Sequence, residues 1–243
     1  MAIKHSFLVI LLFFFTAVRA EECTRIAVPA GTGGTGEMAE IAHHVFDKAG
    51  LCILLIRYPP KRIDAAIEDR EVDGWVQAVG DEAQPSKFIL IGHDLGQLDA
   101  DLYWPADKEE PKGREATIGA VIGQVWAERE SQRRDVKLYE VTDNKQLMKM
   151  ASMRRIQGLL MPDIAYRHFL VEFPELRSYS RIKVAQLRIR IALLASFKSL
   201  ANRLDAAVVE TKAEGYPDRI WRAYLRQAPD SVPWQQMDRV IKP

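Results

Sequence analysis

AVPAGTGGTGEMAEIAHHVFDKAG, Ala27 to Gly50, with LCILLIRY, Leu51 to Tyr58, behind it, is the stretch whose reading decides the fold. Ile26 to Val28 reads as a buried parallel strand, Ala30 to Gly36 as a tight glycine-rich turn and Glu37 to Lys48 as a helix, with a second strand in the apolar run that follows. In such a β-loop-α-β unit the loop lies at the carboxyl end of the sheet, where open α/β folds place their ligands. A helix starting there, with Thr35 as its cap, points free N–H groups at whatever binds. The spacing therefore predicts a ligand cleft whose first wall is the loop around Thr32, Gly33 and Thr35.

Upstream of this unit, Lys4 and His5 precede the apolar run Phe7 to Val18, and Ala20 closes a V-x-A site. Basic head, short apolar run and small-residue cleavage site read as a secretory signal peptide over residues 1–20, with an uncleaved anchor as the alternative. Its removal takes Lys4 and Arg19 and no acid, so 34 bases against 33 acids become 32 against 33. A near-neutral mature chain has no basic excess to hold nucleic acid or an acidic membrane. Cys23 and Cys52, the only cysteines, fall at the starts of two strands that neighbour one another in a parallel unit, which brings them within bridging range. Export favours a disulfide; two buried thiols are the alternative. No histidine stands at metal-ligand spacing from them, and adjacent His43 and His44 point about 100° apart on a helix, so no metal site is expected.

Downstream, PPKRIDAAIEDREVDGWVQAVG repeats helix then strand, the strand at Gly74 to Val79. Strand candidates follow at Lys87 to Gly92 and Leu98 to Trp104, and Pro105 to Gly113 reads as a solvated crossing. A second α/β series then runs through strands at Ala116 to Ile122, Val136 to Val141 and Ile156 to Met161. Helices begin at Gly123, after a cap at Thr142 or Asp143, and at Pro162. Ile182 to Leu193 holds one or two strands, and helices at Ser196 to Ala213 and Asp218 to Leu225 end the ordered pattern.

Two motifs invite other chemistry. Gly31, Gly33 and Gly36 satisfy G-x-G-x-x-G in the strand-to-helix context of a dinucleotide site, but Arg57 and Tyr58 stand where an acid would hold the ribose. Gly92-His93-Asp94-Leu95-Gly96 after an apolar strand has the form of a nucleophile elbow and resembles the aspartate elbow of haloalkane dehalogenases and epoxide hydrolases, with Asp94 attacking. No amphipathic helix follows it, so a turn between two strands is the preferred reading and an Asp94 hydrolase the runner-up.

Taken in order, PKRIDAAIEDREVDGWV, TIGAVIGQVWAERE, VTDNKQLMKMASMRRIQGLLMPD and the closing LASFKSLANRLDAAVVETKAEGYPDRIWRAYL resemble the extracytoplasmic solute-binding proteins of family 3. The resemblance implies the type II periplasmic binding fold: two α/β lobes, each a mostly parallel sheet flanked by helices, joined by crossing strands and closing on a ligand by a hinge. Lobe one would be 21–105 with 190–243, and lobe two 106–189. It also implies a periplasmic, monomeric, non-catalytic protein without cofactor that serves an ABC permease, a membrane sensor or an accessory role. A periplasmic dehydratase on the same scaffold is the enzymatic variant. In family members that bind amino acids, an arginine after the V-D-G strand clamps the carboxylate and an aspartate after the lobe-two strand takes the amino group. Here WVQAVGDEAQPS, Trp75 to Ser86, holds no arginine, Gln157 replaces the usual aspartate of the lobe-two strand, and Asp163 comes one position late. The expected lining is then Thr32, Gly33, Thr35, Tyr58, Trp75, Gln77, Gln124, Trp126 and Asp163, with Asp81 in reserve, and the expected solute is neutral or cationic and polar.

Overall fold

The computed structural model describes residues 23–30, 35–80 and 88–227. The signal-peptide reading over 1–20, the loop residues Gly31, Thr32 and Gly33, and Asp81 lie outside them.

The strands and helix of the first unit form as read, β1 (Thr24–Pro29), α1 (Thr35–Lys48) and β2 (Ile53–Tyr58), but Thr35 is the first residue of α1 and not its cap; β1 and β2 are parallel and in register from Thr24 opposite Ile53 to Pro29 opposite Tyr58. Cys23 and Cys52 are joined by a disulfide, Cα to Cα 4.5 Å, at the amino end of this pair. Next come α2 (Pro60–Glu68) and β3 (Gly74–Val79), the latter parallel to β1. The turn into β3 is fixed by Asp73, whose carboxylate accepts from the Arg25 backbone N–H at 2.9 Å and from its guanidinium at 2.7 and 3.1 Å. Gly74 has no room for a side chain, because a Cβ there would collide with the Ala192 carbonyl of the neighbouring strand. The V-D-G sequence is thus a clamp followed by a point of backbone contact.

After β4 (Phe88–Leu90) and the long β5 (Gly96–Pro105), the second series supplies β6 (Thr117–Val121), α3 (Val125–Arg134), β7 (Lys137–Val141), α4 (Asn144–Ser152), β8 (Gly158–Pro162) and α5 (Asp163–Phe169). Of the two capping candidates for α4, Asp143 does the capping, accepting from the Gln146 N–H at 2.8 Å. A 3-10 turn at Pro174–Ser178 leads into β9 (Tyr179–Leu194), then α6 (Lys198–Ala213) and α7 (Tyr216–Gln227). The segment read as one or two strands is one, of 16 residues, and it crosses residue 190 without a break.

Strand order is β2-β1-β3-β9-β5-β8-β6-β7, with β4 also on β9. Two three-stranded parallel groups, β2-β1-β3 and β8-β6-β7, are therefore joined by the antiparallel pair β9 and β5, which runs from Gly96 opposite Ile189 to Pro105 opposite Tyr179. The largest apolar cluster lies under α1, α6, α7 and α3 and draws residues from both groups, among them Ile26, Val28, Ile118 and Leu160. On the opposite side α2 covers Ala27, Trp75 and Val79 in the first group, while α4 and α5 cover Val121, Leu159 and Met161 in the second. Between those two helix layers β9 and β5 carry the sheet across.

Candidate functional site

In each parallel group the carboxyl ends of the strands share one edge: Pro29, Tyr58 and Val79 in the first, Val121, Val141 and Pro162 in the second. The loop after β6 and the first turn of α2 bring the two edges together. A methyl group added to Gly123 would sit 3.1 Å from Pro60 Cβ and 3.3 Å from the Lys61 backbone nitrogen. Gly123 also holds φ +81°, a conformation that favours glycine. Beside this contact Lys61 Nζ lies 3.2 Å from Glu140 Oε2, and the Gly123 N–H approaches Glu140 Oε1 at 3.4 Å. Lys61 and Glu140 had no signal in the sequence; only the approach of α2 to the end of β7 in three dimensions makes them partners across the edges.

Of the residues expected to line the cleft, Thr35 is buried at the first position of α1. Tyr58 is half-buried at the end of β2, its hydroxyl donating to Glu71 Oε2 at 2.9 Å. That hydrogen bond, with some burial, raises the phenol above its ordinary pKa. Gln77 is half-buried on β3 opposite Arg190 of β9. Gln124 precedes α3, next to the Gly123 contact, and its Oε1 is a buried acceptor without a donor among the described residues.

The two tryptophans do not face an opening. Trp75 is 2% exposed in the cluster beneath α2, edge-on to Phe88 at 6.1 Å, and Trp126 is 6% exposed in the largest cluster. A large apolar ring at a strand or helix end gains more from burial than from waiting for a solute.

Asp163 is occupied. At the first position of α5 and 4% exposed, it accepts from Arg167 Nη2 and from Arg181 Nη1, each at 2.7 Å, and from the Tyr103 hydroxyl at 3.1 Å. Asp101 on β5, 3% exposed, shares the cluster through Arg181 Nη1 at 3.3 Å and Tyr103 at 3.2 Å. Burial first, and the neighbouring Asp163 charge second, push the Asp101 carboxyl up to about 6. Tyr103 is fixed by stacking on Tyr166, ring centroids 3.6 Å apart. The family resemblance pointed to Asp163 but missed Asp101, Arg167 and Arg181; the i, i+4 spacing of Asp163 and Arg167 was the one available signal.

Asp94 is not on a strand-to-helix elbow. It sits in the bend between β4 and β5, partly buried, accepting from Lys212 Nζ at 3.0 Å, while His93 before it is held by Asp205 through its N–H and Nδ1, both at 2.8 Å. These contacts tie the bend to α6, and the preferred turn reading replaces the hydrolase. Among the described residues no group of three or more His, Cys, Asp and Glu could hold a metal ion, and no helix is long and apolar enough to cross a membrane.

No protein-family profile matches the chain, and no curated protein sequence does. Solved structures do. The arginine-, lysine-, histidine-binding protein ArtJ from Geobacillus stearothermophilus superposes with a TM-score of 0.70 at 10% identity, over 89% of this chain and all of that one. The substrate-binding protein of an amino acid ABC transporter gives 0.69 at 16% identity, over 84% of this chain and 100% of that one. AncCDT-1, an ancestral amino acid-binding protein and precursor of cyclohexadienyl dehydratase, gives 0.67 at 10% identity, over 84% and 95%. The chain has the type II periplasmic binding fold that its sequence resembles.

Proposed function

We propose that this protein, having that fold, is an exported solute-binding protein that closes two lobes on a small polar solute without catalysing a reaction. The observation that carries this is the meeting of two carboxyl edges, at Gly123 against Pro60 and Lys61, across a pair of crossing strands. Open parallel sheets bind ligands at such edges, and two of them face to face make a cleft that a hinge can open. The lobes are 21–105 with 190–243, and 106–189, hinged on β5 and β9. Thr35, Tyr58, Gln77 and Gln124 line the cleft; the amino acid ABC transporter binding proteins among the structural neighbours support delivery to an ABC permease in the periplasm, and a monomer completes the proposal.

A sensor or accessory protein that keeps the fold is the second reading. The engagement of Asp163 by two arginines and the absence of an arginine from Trp75 to Ser86 favour it, since both remove groups that an importer of common amino acids uses. The deciding experiment is a thermal-shift screen of the exported protein against amino acids, polyamines, sugars, organic acids and quaternary amines. A solute at a hundred times its dissociation constant adds about 2.7 kcal/mol, a clear rise in melting temperature. Silence across the panel sinks solute capture and leaves the accessory reading.

A further inference from the structure

Resting on the reading of a solute cleft, we propose that Arg188 is its anion-binding residue and that the solute carries a carboxylate, in place of the neutral or cationic one that the sequence suggested. Along β9, Leu187, Ile189, Ile191 and Leu193 belong to the large cluster under α1 and α6, so Arg188, Arg190 and Ala192 point to the other side. Ala192 on that side packs beneath α2 with Trp75 and Val79. Arg188 is therefore on the α2 side of the sheet, the side on which Pro60 and Lys61 meet the opposite lobe.

Register fixes its height along the strand. Arg188 stands opposite Val79, the last residue of β3, and opposite Gln97 near the start of β5. That places it in the crossing strand β9, beside the carboxyl end of β3 and two residues before the lobe boundary at 190. Arg188 is exposed and makes no hydrogen bond or ion pair among the described residues. The nearby acids do not serve it: Asp99 is 2.5 Å from Lys183 Nζ, and Asp94 is 3.0 Å from Lys212 Nζ. Arg190, two residues on, reaches the Ile91 and Gly92 carbonyls, at 3.4 and 3.5 Å, so it adds positive charge without cancelling any.

A guanidinium presents a fork of N–H donors matched to a carboxylate. Within a cleft that closes, its attraction for an anion grows as water leaves. The Gln77 side chain shares this side of the sheet, opposite Arg190, and Gln97 lies directly across from Arg188, so amides flank the guanidinium on both neighbouring strands. The missing arginine of the segment after β3 is thus supplied from the adjacent strand.

The test measures binding of succinate, L-glutamine, putrescine and glucose by thermal shift and calorimetry to the wild type, Arg188→Ala and Arg188→Lys. The expected result is a shift with a carboxylate-bearing probe and none with putrescine or glucose. Arg188→Ala should weaken the carboxylate by about 10- to 100-fold, the loss of one charge-assisted hydrogen-bonding group, and Arg188→Lys should recover part of it. An exposed strand residue tolerates these changes; Arg188→Gln replaces Arg188→Ala if the latter melts lower without ligand. A carboxylate that binds Arg188→Ala unchanged, or a shift with putrescine or glucose alone, overturns the assignment while solute capture stands. Silence of the wild type with all four probes overturns both.

Discussion

The two edges that meet across the crossing strands present their charges in opposite ways. On the first, Arg188 stands exposed with no partner among the described residues; on the second, Asp163 is buried under two arginines and a tyrosine. The residue that the family resemblance nominated for a solute is spent on its own fold, and the one left open was inconspicuous. The difference teaches that a charged residue at the right edge is a binding group only when the fold leaves it unpaired, because a buried ion pair gives up its partner at the cost of an uncompensated charge.

Substitution breaks this comparison most sharply at Asp163. Asp163→Ala leaves Arg167, whose side chain is 9% exposed, without its acid, and should cost about 3–5 kcal/mol in urea unfolding. Arg188→Ala should stay within about 0.5 kcal/mol of wild type in the same assay. Equal losses at both positions would erase the distinction between structural and open charge. The lobes also differ in their braces: the first has the Cys23–Cys52 bridge at the starts of β1 and β2, the second the buried Glu130–Arg134 pair within α3, joined by Glu110 from the segment after β5. Removing the bridge by Cys23→Ser with Cys52→Ser should cost about 3 kcal/mol, and a reducing agent should reproduce the loss in the wild type and not in the variant.

Asp101 and Glu130 extend the comparison to pH. Glu130 is buried, which raises its pKa, but the hydrogen bonds and charges of Arg133 and Arg134 outweigh burial and the net effect is downward. Asp101 is buried beside another acid and has only half-exposed Arg181 and the Tyr103 hydroxyl in compensation, so it rises to about 6. With the folded pKa above the unfolded value of 3.8, Asp101 favours folding most when protonated, and that advantage is lost as pH climbs through about 6. Asp101→Asn should therefore match wild type near pH 4 and exceed it by up to about 3 kcal/mol at pH 7.5, a ceiling set by the rise from 3.8 to about 6 at roughly 1.36 kcal/mol for each tenfold change in proton affinity. Chemical denaturation across that range checks it; a gap independent of pH would mean that the carboxyl is solvated in solution.

Much of the architecture was legible because it rests on local patterns. Strand β3 falls where V-D-G-W-V-Q-A-V placed it, and the bridge between Cys23 and Cys52 follows from two strand starts made neighbours by a βαβ unit. The site was less legible for a physical reason. Whether Trp75 lines a cleft or fills a core depends on what α2 lays over it, and whether Asp163 is free depends on Arg181, 18 residues away on β9. Arg188 and Arg190 showed the alternation of a strand, yet their height at the sheet edge required the pairing of β9 with β3 and β5, which is long-range information.

The smallest expected energy concerns the ion pair that joins the edges. Lys61 and Glu140, 55% and 30% exposed and 3.2 Å apart, are worth about 0.2–1 kcal/mol to global stability, as for other surface pairs. Their position gives that energy a different use. In the lobe closure proposed above, a contact made only when the lobes touch acts on the closing equilibrium alone, and about 1 kcal/mol there changes the ratio of closed to open about 5-fold. Spin labels on α2 and α4 should report a longer mean distance for Lys61→Ala than for the wild type, and the wild type should lengthen as salt screens the pair. Lys61→Glu alone should open the cleft further through repulsion, and adding Glu140→Lys should restore the wild-type distribution. A distance distribution indifferent to salt and to both substitutions would leave the Gly123 packing against Pro60 as the contact that holds the lobes together, and Gly123→Val would then be the substitution that separates them.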